Sequence, residues 1–206
     1  MSDHHLPTTP WTRQSWAFAR RNIQQTLRNP VLVFLLVGWP ILWYVLTVSL
    51  FVDDANGPVK AAMGMTFGLF GAFTVTVTIF AGEFARDLDG DRYLKLRAMA
   101  VSPTADLAGR FGSGIVLGVA SYVVTVAAAL IHGATFVDLD ARAIAIVAFT
   151  LLVFCLIAMT LALLLAIAIP KPEYMTTISV VLVLLAFYVT GQNGVVPHMI
   201  AGDRPS

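Results

Sequence analysis

AAMGMTFGLFGAFTVTVTIFAG, residues 61–82, runs without one charged side chain. A helix rises about 1.5 Å per residue, so about 20 apolar residues cross the ~30 Å hydrocarbon layer of a bilayer. The stretch is long enough to span. Charge-free runs recur at residues 31–52, 111–131, 143–170 and 174–202. The last is mixed, because Gly191-Gln192-Asn193-Gly194 and Pro197 would leave backbone groups unsatisfied in lipid, so that span is expected to end near Thr190.

The whole composition agrees. The chain is 58% hydrophobic, with 13 Lys and Arg and 12 Asp and Glu in 206 residues. Its mean hydropathy is +0.80. Soluble domains carry about 45–50% apolar and about 25% charged residues. The sequence therefore predicts an all-α polytopic membrane protein: an N-terminal interfacial helix followed by five transmembrane helices. Residues 1–30 are read as tail and interfacial helix, 31–190 as the spans and 191–206 as an outer tail, all in one transmembrane domain. The first apolar run starts at Val31 and exceeds the core of a signal peptide, so no cleaved leader is expected.

Charge distribution orients the spans. Of the Lys and Arg residues, Lys60, Arg142 and Arg204 fall on one side and all the others on the side of the N-terminus. By the positive-inside rule the N-terminus is cytoplasmic and the tail faces out, as in a multi-pass protein of the cell membrane. Before the first span, Trp16, Ile23 and Leu27 lie near one line at 100° per residue, with Arg13, Arg20, Arg21 and Arg28 on its flank. This pattern predicts a helix lying in the membrane interface, apolar stripe toward lipid and arginines at the phosphates. Asn29-Pro30 ends it and turns the chain into the bilayer. Within the spans, Gly38-Trp39-Pro40 predicts a kink, and Gly64, Gly68, Gly71, Gly114 and Gly118 predict close helix packing. Thr74 and Thr78 share a helix face and are expected to bond back to their own helix.

The chemistry-bearing residues are sparse. No ionisable residue is expected deep in a span, which argues against a proton-driven carrier and an intramembrane hydrolase. His132 and His198 are read as isolated near the outer interface, and Cys155 as a small apolar core residue. Asp87-Leu88-Asp89-Gly90-Asp91 has the outline of a calcium loop. Counting from Asp87, however, the sixth position is Arg92 and the twelfth Ala98, where such a loop needs glycine and a bidentate glutamate. No metal, cofactor or nucleic-acid partner is expected. The chain has no Gly-x-x-x-x-Gly-Lys-Ser/Thr loop, so it is not expected to be an enzyme, and any ATP hydrolysis belongs to a separate subunit.

The most charged stretch, residues 83–103, follows the opening run. Its helix is expected to continue through Leu88, reverse at Gly90, and form a short helix over residues 92–99. Tyr93, Leu94, Leu96 and Met99 then project among Arg92, Lys95 and Arg97, and Ser102-Pro103 starts the next helix.

These features resemble the membrane subunits of type 2 ATP-binding-cassette transporters, the exporter-like permeases. The resemblance lies in RRNIQQTLRNPVLVFLLVGWPILWYVL (residues 20–46), in Glu83, in the short helix before Ala100-Val101-Ser102-Pro103, and in Gly109-Arg110. It implies a permease that exports amphipathic, drug-like or lipid-like molecules, energised by a separate ATP-binding subunit and paired with a second permease subunit as homodimer or heterodimer. It also implies that Glu83, Arg92, Tyr93, Leu94, Lys95, Leu96, Arg97 and Met99 form the coupling helix seated on that ATPase. Trp16, Arg20, Arg21, Ile23, Leu27 and Arg28 form the membrane-interface helix, with lipid as its partner. The family has six spans and the sixth is not expected here, which leaves a non-transporting assembly or regulatory subunit as the alternative.

Overall fold

The structure is a computed structural model that describes residues 10–52, 55–89, 102–136, 139–169 and 171–189. Its helices are α1 (Trp11–Arg28), α2 (Pro30–Phe51), α3 (Gly57–Asp89), α4 (Pro103–Ile131), α5 (Ala141–Ala168) and α6 (Pro172–Val189). The described residues contain no strand. The chain is an all-α polytopic membrane protein. Helices α2 to α5 are each long and apolar enough to cross a bilayer. In the place of the fifth expected span stands α6, with 18 residues a little shorter than a full crossing, running to the edge of the described region.

Breaks in the chain follow local chemistry. Asn29 leaves the helical region at φ −100°, ψ 110°, and its side-chain oxygen accepts hydrogen bonds from the amides of Val31 (3.0 Å) and Leu32 (3.4 Å). Pro30 takes the first helical position, where a missing N–H costs nothing. Farther along α2, Pro40 has no N–H to offer the carbonyl of Leu36 four residues earlier. The helix widens there into a π turn over Phe34–Gly38, and the Ser121 hydroxyl of α4 donates to the Leu36 carbonyl at 2.7 Å. A Cβ at Gly71 of α3 would stand 2.6 Å from Pro40 Cβ and 2.7 Å from Ser121 Oγ. Three helices thus meet at one point, and the glycine is what lets them.

Helix α3 is the axis of the bundle. Within its most apolar stretch 72% of residues are buried, against 28–39% for the other long spans. It packs on α2, α4, α5 and α6. Phe70 meets Phe187 of α6 with ring centroids 4.3 Å apart. On α4, Gly114 lies under Met159 and Gly118 under Cys155, both from α5. Side-chain apolar area facing outward, such as Phe149, Ile157 and Leu164 of α5, is suited to lipid.

One sequence expectation holds here and two need correction. Helix α4 begins at Pro103 behind Ser102, as the Ser102-Pro103 start predicts, and Asp106 and Arg110 in its first turns are buried. His132 is not isolated: its Nδ1 lies 3.2 Å from the Tyr44 hydroxyl, and its carbonyl accepts from Lys60 Nζ at 3.1 Å. Thr74 does bond back, to the Phe70 carbonyl at 2.7 Å, whereas the buried Thr78 hydroxyl has no partner.

Candidate functional site

The end of the bundle that carries α1 concentrates the charge. Helix α3 continues past Gly82 through Glu83, Arg86, Asp87 and Asp89, and α4 enters from Ser102 and Pro103. Glu83 and Asp87 are one turn apart on α3, as are Asp106 and Arg110 on α4, so each pair shares a helix face. The packing brings the two faces together. Arg110 is 1% exposed; its Nε donates to Asp106 at 3.0 Å, one terminal nitrogen bonds Asp87, and the other lies 3.8 Å from Glu83. The guanidinium carbon also stands 5.1 Å from the centroid of Phe84. Three carboxylates face one buried guanidinium, which joins α3 to α4 beside the segment that connects them. Arginine suits this place, because its planar fork serves several acceptors and stacks on a ring.

Helix α1 closes the same end. Trp11 Nε1 donates to Thr104 Oγ1 at 3.1 Å, and the Ser102 amide donates to the Gln14 side-chain oxygen at 3.1 Å. At Gly109 a Cβ would come within 2.5 Å of the Ser15 carbonyl oxygen and 3.0 Å of the Ala19 nitrogen. Only a glycine permits that approach. The face of α1 turned to the bundle is Ala19, Asn22 and Thr26, each buried.

The residues singled out from sequence fall into three groups. Glu83 joins the Arg110 cluster. Arg92, Tyr93, Leu94, Lys95, Leu96, Arg97 and Met99 lie outside the described residues. On α1, Trp16 and Leu27 are 70% and 55% exposed, Arg20, Arg21 and Arg28 are exposed, and Ile23 is half-buried against the core. The apolar stripe and the packing face of α1 are thus different faces. Arg21 Cζ lies 5.6 Å from the Phe18 ring centroid.

Sequence reasoning missed Asp87, Asp106 and Arg110 as a unit. The i, i+4 spacing of both pairs was a signal, but nothing local in the sequence brings the two charged faces together. Between α1, α2 and the end of α3 lies a cleft of ≈ 320 Å³ lined in part by Arg21, Asn22, Glu83, Arg86 and Asp87. Nothing in this end assembles a nucleophile with a base among the described residues. Its organisation is mechanical: two helices clamped by an ion cluster, with a third strapped across the start of the second.

Residues 13–193 match the family model described as ABC-2 type transporter. No curated protein and no solved structure matches the chain.

Proposed function

The chain belongs to the ABC-2 type transporter family, and on that premise we propose that it is the membrane-spanning subunit of an ATP-driven exporter of amphipathic substrates. Family membership makes it a membrane transport component that works with an ATP-binding subunit. The finer reading is that residues 92–99 form the coupling helix, facing the cytosol of the cell membrane, and that a second permease subunit completes the translocation path.

One observation supports this most: both ends of the segment between α3 and α4 are held. Arg110 links Glu83 and Asp87 on the incoming helix to α4 on the outgoing one, and α1 grips Ser102 and Thr104. A short amphipathic helix is unstable alone. Suspended between two anchored helices, it can pass a push from a docked ATPase to α3, the axis of the bundle.

The test is co-purification with the ATPase subunit and substrate-stimulated ATP hydrolysis. Leu94→Asp should leave membrane insertion intact and abolish retention of the ATPase, since a central apolar anchor costs about 2 kcal/mol or more when lost. Wild-type retention by that variant would remove Leu94 from the interface.

A further inference from the structure

The cleft beside α1 has a composition that docking of an ATPase does not require. Asn22 lines it and is 1% exposed, yet neither its Nδ2 nor its Oδ1 has a hydrogen-bond partner. A buried amide without partners costs about 1–3 kcal/mol, and such groups are uncommon enough to call for a cause. The amide offers two donors and an acceptor at one point. Around it the charges are mixed. Glu83 and Asp87 bring carboxylates from α3, while Arg21 and Arg86 stand exposed at the rim. Asp106, outside the lining, adds a third carboxylate to the cluster on Arg110.

Position narrows the ligand. The cleft sits where the apolar run of α3 gives way to charge, the level at which a bilayer changes from acyl chain to headgroup. Leu32 closes its α2 side, and Val31 and Phe34, exposed on the same turns of α2, continue as an apolar surface. We propose that this cleft binds the headgroup of a phospholipid bearing a primary ammonium, a phosphoethanolamine lipid. The phosphate lies toward Arg21, Arg86 and the Asn22 Nδ2, the ammonium toward Glu83, Asp87 and the Asn22 Oδ1, and the acyl chains run over Val31 and Phe34. A primary ammonium has hydrogens to give those acceptors, and a quaternary choline has none. The inference goes beyond the transport reading and does not depend on it.

Native mass spectrometry of the purified full chain tests it, with phosphatidylethanolamine, phosphatidylcholine and phosphatidylglycerol of identical acyl chains, and with soluble glycerophosphoethanolamine. Phosphatidylethanolamine should be retained about tenfold better than phosphatidylcholine, the scale of one charge-assisted hydrogen bond. Asn22→Ala and Glu83→Gln should each erase that preference while circular dichroism and gel filtration stay as in wild type. If Glu83→Gln loosens the fold through Arg110, Asn22→Ala decides alone, because Asn22 makes no side-chain hydrogen bond whose loss could unfold the protein. Equal retention of the ethanolamine and choline lipids overturns the proposal, as does a preference that survives Asn22→Ala. A preference for phosphatidylglycerol that Arg86→Ala removes would make this a phosphate site with no ammonium specificity. Competition by glycerophosphoethanolamine at the same concentration as the lipid would overturn the lipid as occupant.

Discussion

At the scale of single residues, Arg110 shows how a membrane protein hides charge. Its guanidinium satisfies Asp106, which is fully buried, and Asp87, which is nearly so. Removing one partner of a buried ion cluster leaves the rest uncompensated, at about 3–5 kcal/mol. Arg110→Ala should therefore lower the thermal midpoint of the purified protein in detergent markedly. Arg110→Lys, which keeps the charge but not the planar fork, should recover only part of the loss. Arg20→Ala, on the exposed side of α1, should stay within about 0.5 kcal/mol of wild type. An Arg110→Ala protein as stable as wild type would mean that the cluster has no structural weight. The residues were visible in the sequence as two i, i+4 pairs. Their meeting was not, because nothing local says that the end of α3 and the start of α4 bury their charged faces on each other.

At the scale of elements, α1 is the instructive case. Its end was legible: the helix expected within residues 1–30 and closed by Asn29-Pro30 is observed over Trp11–Arg28, bounded by Pro10 and by that turn. Its packing face was not. Hydrophobic patterning marks only the stripe through Trp16 and Leu27, which is exposed, whereas the bundle meets Ala19, Asn22 and Thr26, a face the patterning does not mark. The reason is steric. At Gly109 the two backbones come so close that only small side chains fit between them, and large apolar ones are left for the bilayer, where they lose nothing. Gly109→Leu should accordingly push α1 off α4. Proteolysis at Arg20 or Arg21 should become faster, and any stimulation of ATP hydrolysis should fall, while the spans still insert. A Gly109→Leu chain as resistant to trypsin as wild type would show that the close approach is dispensable.

At the scale of the whole molecule, four of the five expected spans were legible in composition as helices long enough to cross, but their order of burial was not. Helix α5 is the most apolar of the long spans and lies mostly at the outside, whereas α3, the least apolar, is the most enclosed. In water the ranking would be reversed. In lipid, hydrophobicity does not drive helices together, and small or polar residues such as Gly68, Gly71, Thr74 and Thr76 mark the centre. The orientation of the bundle rests on the asymmetry of Lys and Arg. With Cys155 buried and silent, Ala55→Cys and Gly202→Cys should react with an impermeant maleimide added to intact cells, and Asp89→Cys should not. Labelling at position 89 from outside would invert the topology and place the charged end, with its cluster and cleft, on the wrong face for an ATPase.

The bond from Ser121 to the Leu36 carbonyl also bears on how the chain is made. Its two ends are 85 residues apart, which at about 5–20 residues per second is roughly 4–17 s of synthesis. Through that interval α2 has left the ribosome with a carbonyl that Pro40 cannot serve, a defect worth several kcal/mol in hydrocarbon. The first span is thus the one least able to settle by itself, and its residence at the insertion machinery should last until α4 arrives. A nascent chain halted after residue 89 should insert α2 incompletely in a protease-protection assay. Pro40→Ala, which restores the missing N–H, should make the halted chain insert fully. Birth order and final packing are linked through one hydroxyl: the third membrane helix to be synthesised completes the first.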